Sequence, residues 1–186
     1  METNLRKIVG FSQVEKQLIS TEKSIEIKEN YKKDIGNLIE SGKEGYKHTE
    51  FAWLSLETLK NYIAILDEVG KINKKEISGL RIYFAKYAET GDYTQEDIEK
   101  LKPGRETVFL APTMKVEVND TNKDYEVLQN VPFDIIPTGE YSYIGNYEEI
   151  KALSNQTNKN YIEAIENTSL IMNDIKTYPP PKIYVP

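Results

Sequence analysis

The sequence predicts an α+β fold, in which a small mixed sheet, formed by a β-α-β unit and an antiparallel return, is flanked by long N- and C-terminal helices. Three observations predict it. Leucine and isoleucine recur at helical spacing in residues 56–66. Residues 79–87 alternate between apolar and polar positions, as a half-buried strand does. Helical periodicity also occurs in residues 11–42 and 147–176, and a chain of 186 residues suits a single domain over 1–186.

The N-terminal helical segment, residues 11–42, begins at a capping box in residues 12–15 and ends at Gly42, which suits a helix C-cap. Its apolar stripe is thin in the middle, which predicts a long, partly exposed helix with a break near Asn30. The stripe consists of Val14, Leu18, Ile25, Ile35 and either Leu38 or Ile39.

The α+β core is predicted to span residues 50–116. Its elements in order are a strand at 50–54, a helix from Ser55 to Gly70, a strand at 79–87, a short helix at 94–104 and a strand at 107–113. In the strand at 79–87, period-two alternation separates two faces. The face predicted to be core consists of Leu80, Ile82 and Phe84. The opposite face consists of Arg81, Tyr83, Ala85 and Tyr87.

The remainder of the chain is less regular. Residues 117–146 are predicted to form an irregular arm, because Pro132 and Pro137 interrupt its apolar run. The C-terminal helical segment, residues 147–176, rests on the helical spacing of Tyr161, Ile165, Thr168, Met172 and Ile175. The tail, residues 177–186, contains three consecutive prolines and is predicted to be extended, in polyproline II form at least locally.

Charge and hydropathy bound the function. With 24 basic and 30 acidic side chains, the formal net charge is 24 − 30 = −6. Nucleic-acid-binding domains usually carry a basic face, so no nucleic-acid partner is predicted, whereas a basic protein partner suits this charge. No segment approaches the roughly 20 apolar residues of a membrane span, so no membrane partner is predicted and a cytoplasmic location is expected.

Cofactor and metal motifs are incomplete. The chain has no cysteine and one histidine, His48, which removes disulfides, thiolate nucleophiles and cysteine-based metal sites. Residues 36–43 approach a mononucleotide-binding loop, but the spacing of the glycines is wrong and Glu44 replaces the magnesium-binding hydroxyl. Residues 120–124 begin like a calcium-binding loop, but Tyr125 occupies the position that needs glycine. No metal site and no cofactor are predicted.

The face formed by Arg81, Tyr83 and Tyr87 is the sharpest candidate ligand site. A guanidinium flanked by aromatic rings on a rigid strand suits a carboxylate or a phosphate. The alternative is structural: Arg81 stacks on Tyr83, pairs with a glutamate and covers the second face of the sheet. His48 is a candidate general base beside them, because histidine titrates near neutral pH, and its alternative is an ordinary surface histidine in a loop.

Three of the thirteen tyrosines, Tyr141, Tyr143 and Tyr147, cluster after the proline-interrupted arm and are candidate interface residues. Exposed tyrosines give contact area at low entropic cost and are enriched in protein interfaces. The alternative places them at the edge of the core, with their hydroxyl groups reaching water.

Three segments of the core carry a resemblance: WLSLETLK at 53–60, SGLRIYFAKY at 78–87 and TVFLAPT at 107–113. They lie within residues 53–113, about a third of the chain, and this pattern resembles a group of small bacterial proteins with no known activity. The resemblance implies a shared core and implies nothing about chemistry.

The leading functional hypothesis is a non-enzymatic protein that interacts with another protein or with itself. Its narrower versions are an acidic inhibitor or immunity-type protein with a basic partner, and a subunit of an oligomer. A second hypothesis is a small-molecule binder or enzyme that grips an anionic ligand through Arg81. A third is a phage or virion structural component. The missing catalytic motifs favour the first hypothesis over an enzyme.

Overall fold

The fold was analysed in a computed structural model, which describes residues 14–91, 94–95, 98, 103–117, 129–141, 143–151, 153, 169–173 and 176–178. It confirms an α+β protein, with helices and a four-stranded antiparallel sheet. The chain divides into two compact units, Met1–His48 and Thr49–Pro186. Each unit is described by itself, and the predicted single domain over 1–186 stays a prediction.

The N-terminal unit contains a continuous helical stretch. It consists of helix α1 (Thr21–Tyr31), a π-helical turn (Lys32–Gly36) and helix α2 (Asn37–Ser41). Ser20 caps α1, since its Oγ accepts a hydrogen bond from the Lys23 N–H at 3.1 Å. Gly42 is the C-cap, as predicted. Of the predicted capping box at 12–15, residues 12 and 13 lie outside the described residues, and the long helix begins only after Ser20.

The thin apolar stripe has a structural consequence. No residue of α1 is buried. The helix is not broken near Asn30, which lies within α1, and the π turn follows it at Lys32–Gly36. A π turn inserts one residue into the helical repeat and so rotates the face that follows. Gly36, the last residue of this turn, is the one residue of the turn that is buried.

The C-terminal unit contains one long helix and two sheets. The elements are β1 (Phe51–Trp53), α3 (Leu56–Asn73), β2 (Gly79–Lys86), β3 (Glu106–Lys115), β4 (Asn130–Pro137), β5 (Gly145–Glu149) and β6 (Lys176–Tyr178). The main sheet has the order β2-β3-β4-β5, with every neighbouring pair antiparallel. A separate two-stranded sheet pairs β1 with β6, Phe51 opposite Tyr178.

The predicted β-α-β unit and mixed sheet are therefore wrong. Strand β1 precedes α3, as predicted, but it pairs antiparallel with β6 near the C-terminus and does not join the sheet of β2. A three-residue strand offers few main-chain hydrogen bonds, so its partner depends on where the rest of the chain brings a free edge. No local pattern in the sequence signals that partner.

The predicted irregular arm is also corrected in part, because β4 lies within it. Strand β4 pairs with β3 at Asn130–Pro132 and with β5 from Phe133 to Pro137. Each proline thus lies at the end of a paired stretch, where a missing N–H disturbs the ladder least.

The C-terminal helical segment is not confirmed. Tyr147 lies in β5, and the Met172 N–H and C=O exchange hydrogen bonds with Leu110, both at 2.9 Å, in an isolated β-bridge. Tyr161, Ile165, Thr168 and Ile175 lie outside the described residues, as do the tail after Tyr178 and most of the predicted helix at 94–104.

The core forms where α3 packs on the main sheet. Ser55 caps α3 as predicted, with its Oγ accepting from the Thr58 N–H at 2.9 Å. The helix passes the predicted end at Gly70 and terminates at Lys74, which adopts a left-handed conformation with φ of 52°. The buried cluster consists of Tyr62, Leu66, Val69, Leu110, Phe133, Ile135, Tyr147 and Leu170.

Tyr62 ties this core to the segment after residue 168. Its hydroxyl donates to the Leu170 carbonyl at 2.8 Å, and burial raises the pKa of Tyr62 to about 12. Within the described part of the chain, no helix combines the length and apolar character that crossing a membrane requires.

Two isoleucine substitutions test where the core ends. Ile135 is 1% exposed in β4 and Ile65 is 54% exposed on α3. Ile135→Ala should lower the free energy of unfolding by about 2–5 kcal/mol, because it leaves a cavity. Ile65→Ala should change it by no more than about 0.5 kcal/mol. Urea denaturation of both variants measures the difference, and equal losses would contradict this core.

Candidate functional site

The outer edge of β2 is the candidate site, and its side chains are set by the pairing with β3. Ile82 lies opposite Leu110 and Phe84 opposite Val108. Side chains of directly opposed residues share one face of a sheet, so both point to the face that carries the core residue Leu110. The prediction that the side chains of Leu80, Ile82 and Phe84 point to the core side of the sheet is therefore confirmed.

The predicted burial of this face is wrong at two positions. Leu80 is partly buried against the core, whereas Ile82 is 63% exposed and Phe84 is 88% exposed. The reason is the reach of α3, whose buried side chains join a cluster contributed by β3, β4 and β5. The face of the edge strand β2 extends beyond this cover, so an apolar strip is left in contact with solvent.

The main chain of β2 is also open on this side. Leu110 exchanges both of its hydrogen bonds with Met172, on the side away from β2, so Ile82 and Leu110 are a non-hydrogen-bonded pair. The N–H and C=O of Ile82 therefore point outward. Alternation along the strand directs those of Leu80, Phe84 and Lys86 outward as well. Among the residues that the structure describes, no strand pairs with this edge.

We call this feature the β2 edge and define it as Leu80, Ile82, Phe84 and Lys86. It combines exposed apolar side chains with outward main-chain donors and acceptors. A strand edge of this kind is a template for pairing with another extended chain.

The opposite face of β2 carries two residues of the predicted ligand site, and both contact the protein itself. The Tyr83 hydroxyl donates to the Leu153 carbonyl at 2.7 Å, and its ring stacks on Phe109 with centroids 4.9 Å apart. Arg81 Nη1 lies 3.4 Å from both the Leu153 carbonyl oxygen and the Tyr83 hydroxyl oxygen. These contacts fasten the chain after β5 onto the sheet.

Tyr87, the third residue of the predicted site, has a different partner. Its hydroxyl accepts a hydrogen bond from Asn173 Nδ2 at 2.9 Å, and Thr107 Oγ1 lies 3.4 Å from Asn173 Oδ1. The structure therefore brings Arg81 and Tyr83 together at Leu153 and gives Tyr87 a separate contact to the C-terminal segment.

His48 lies in the N-terminal unit and is 2% exposed, so the interpretation as a surface histidine is wrong. Its Nδ1 is 2.7 Å from Glu40 Oε1. Its ring packs so closely on Gly36 that a Cβ there would stand 2.8 Å from the ring Cε1. Only glycine permits this approach, which locks the loop after α2 against the helix.

A histidine oriented by a carboxylate is half of the arrangement found in nucleophilic catalysis. Among the described residues, Glu40 is the side chain that hydrogen-bonds the His48 ring, and no hydroxyl does so. The pair of the buried His48 and the partly buried Glu40 acts as a structural link, and the Lys47 ammonium lies 2.7 Å from the second oxygen of Glu40. Lys47 and His48 together lower the pKa of Glu40 from its ordinary 4.5 to about 2.

Of the three candidate interface tyrosines, two are exposed and one is buried. Tyr141 and Tyr143 are exposed in the turn between β4 and β5, and Asn73 Nδ2 donates to the Tyr143 carbonyl at 2.8 Å. The prediction that Tyr147 is an interface residue is wrong, because Tyr147 is buried in the core and stacks on Phe133 with ring centroids 4.1 Å apart. Strand β5 turns its side chain inward, opposite Ile135.

Neither a metal centre nor a known relative adds to this description. In the described part of the chain, no group of three or more His, Asp or Glu side chains is close enough to hold a metal ion. Comparisons of the chain with protein-family models, with curated proteins and with solved structures found no match.

Titration of Glu40 tests the N-terminal link. Its lowered pKa means that the link stabilises the folded unit fully above about pH 4.5 and loses this effect as the pH falls towards 2. An NMR titration of the Glu40 carboxyl should give a pKa of about 2. Lys47→Ala should raise it, since Lys47 is the largest cause, whereas Lys23→Ala, which removes a distant pair with Glu26, should not. A pKa near 4.5 in the unaltered protein would contradict the link.

Proposed function

We propose that this protein is a non-enzymatic interaction protein that binds another polypeptide chain at the β2 edge. The observation that carries the proposal is Phe84, which is 88% exposed on the core-facing side of the sheet, beside outward main-chain groups. A folded protein gains nothing by leaving such an edge in water. An added strand would bury the side chains and satisfy the main chain together.

The expected gain is large enough to support binding. Full burial of a phenylalanine or isoleucine side chain contributes roughly 1.5–3 kcal/mol each. The main-chain hydrogen bonds of an added strand contribute about 0.5–1.5 kcal/mol each. Part of this sum is offset by the lost freedom of the two chains, so the edge suits a specific contact of moderate strength.

The N-terminal unit supports the same functional class. Helix α1 has no buried residue, and its Ile25 and Ile27 are 55% and 50% exposed, while Leu38 in α2 is 68% exposed. Exposed apolar side chains on helices without a buried residue offer contact area to a binding partner. The net charge of −6 suits a basic partner, as in the inhibitor version of the hypothesis.

The alternative, an anion-binding protein that uses Arg81, has less support. Arg81 and Tyr83 share the Leu153 carbonyl, and Tyr87 bonds to Asn173. A ligand would have to compete with these contacts. The structure offers no observation that favours a phage or virion component over other interaction proteins.

Photo-cross-linking at position 84 tests the proposal. Benzoylphenylalanine replaces Phe84 in one variant and Tyr141, an equally aromatic and 71% exposed residue, in a control. After irradiation in an extract of the cells that make the protein, position 84 should give a discrete covalent adduct to a polypeptide, either this chain or another.

The same adduct should weaken when Ile82→Lys is added, because a buried ammonium opposes the contact. Equal adducts at positions 84 and 141 would show random collision and contradict the proposal. The absence of any adduct at position 84 would contradict it as well.

A further inference from the structure

We infer that the Asn73 side chain closes the second edge of the main sheet, at β5, and so confines the addition of a strand to the β2 edge. The inference rests on the proposed function for the role of the β2 edge and adds the residue that decides between the two edges. A sheet with the order β2-β3-β4-β5 has two outer strands, and among the described strands none pairs with the outer side of β5. Such an edge accepts other chains unless something protects it.

Hydrogen bonds to β4 show which main-chain groups of β5 point outward. The Ile150 N–H donates to the Pro132 carbonyl at 2.8 Å, and the Thr138 N–H donates to the Ile144 carbonyl at 3.1 Å. Even-numbered residues on the β5 side of this pair therefore direct their main-chain groups towards β4, and odd-numbered residues direct theirs away from it. The outward residues of β5 are Gly145, Tyr147 and Glu149.

Asn73 occupies the beginning of this outward edge. It is the last residue of α3, which continues past its predicted end at Gly70. Its Oδ1 accepts a hydrogen bond from the Gly145 N–H at 2.9 Å, and its Nδ2 donates to the Tyr143 carbonyl at 2.8 Å. Nδ2 also donates to the Val69 carbonyl at 2.9 Å, which holds the amide in place from the side of the helix.

The Asn73 amide takes the position that a peptide group of an added strand would occupy. In a parallel pair, one residue donates to a carbonyl of the neighbouring strand and accepts from the N–H two residues further along. The Tyr143 carbonyl and the Gly145 N–H have this spacing, and a carboxamide offers the same donor and acceptor as a peptide group. Both main-chain groups are thus satisfied within the chain, and an incoming strand would first have to displace the side chain.

The two edges of the sheet also differ in exposure. Tyr147, the next outward residue of β5, is 8% exposed, and the Lys75 ammonium lies 5.6 Å from the centroid of its ring. On β2, by contrast, Ile82 and Phe84 are mostly exposed. The end of α3 thus protects one edge and leaves the other open, which directs a binding partner to a single site.

Hydrogen exchange at single amides tests the closure. Asn73→Ala removes all three hydrogen bonds, so the Gly145 amide should exchange about tenfold faster in an NMR measurement. Asn73→Asp keeps an oxygen acceptor for this amide and should accelerate its exchange far less. The Leu110 amide, which donates to the Met172 carbonyl, is the internal reference and should change little in either variant.

Asn37→Ala is the matched control. Asn37 Nδ2 donates to the Lys33 carbonyl at 3.2 Å, four residues earlier in a helical stretch, just as Asn73 Nδ2 donates to Val69. Its loss should leave the Gly145 amide unchanged. Unchanged exchange of Gly145 in Asn73→Ala would overturn the inference. Equal acceleration at Gly145 and Leu110 would overturn it as well, because Asn73 would then act only on the stability of the whole unit.

A strand-forming peptide tests the confinement to β2. Benzoylphenylalanine replaces the exposed Glu148 of β5 in the purified chain, which is irradiated with a synthetic peptide of alternating valine and threonine between terminal lysines. The adduct at position 148 should be several-fold larger with Asn73→Ala than with Asn73 intact, while the adduct at position 84 should be equal in both. A peptide with proline in place of threonine lacks the N–H groups for pairing and should abolish this difference.

An adduct at position 148 that does not increase in Asn73→Ala, in protein shown to be folded by circular dichroism, would overturn the inference. This failure is distinguishable from the failure of the proposed function. The absence of an adduct at position 84 in the cell extract rejects the β2 edge as a binding site. The exchange of Gly145 and the adduct at position 148 report on Asn73 alone.

Discussion

The packing of α3 against β3, β4 and β5 is the contact on which the C-terminal unit depends. Tyr62, Leu66 and Val69 project from one side of the helix onto a sheet whose largest fully buried side chains include Phe133 and Ile135. A single helix is about 10 Å wide, whereas a sheet of four strands spans more than that in the pairing direction. One helix therefore cannot cover the whole face. It covers the side towards β5 and leaves Ile82 and Phe84 of the edge strand open.

Local sequence patterns correctly predicted the helices and strands whose formation depends on residues only a few positions apart. Ser55 caps α3, alternation marks β2, and Gly42 ends the N-terminal helices, all as the sequence predicted. Elements that depend on distant partners were missed. Strand β1 takes its partner from β6, and the segment at Met172 bridges to Leu110. Neither pairing leaves a trace in local spacing, because strand pairing depends on which edges the rest of the fold leaves available.

The same division holds for the candidate site. Alternation in β2 correctly assigned Ile82 and Phe84 to the core-facing side of the sheet, because side-chain direction follows from strand geometry alone. Their exposure depends on the reach of α3 and could not be predicted from the strand. His48 shows the converse, since its polar, glycine-flanked sequence suggested a surface loop. Its burial depends on Gly36 and Glu40, which precede it by a helical turn or more and offer space and a carboxylate.

Edge strands are usually protected by charge, by proline or by a bulge. The central part of strand β2 contains no proline and no charged side chain on the exposed apolar face. The Arg81 guanidinium lies on the opposite face and contacts Tyr83 and the Leu153 carbonyl, and Lys86 stands at the end of the strand, 3.2 Å from Glu89. The central residues Ile82 and Phe84 carry no charge that would repel an incoming strand. A strand edge whose central residues carry no charge and no proline is open to pairing with an added strand, which is the contact that the proposed function requires.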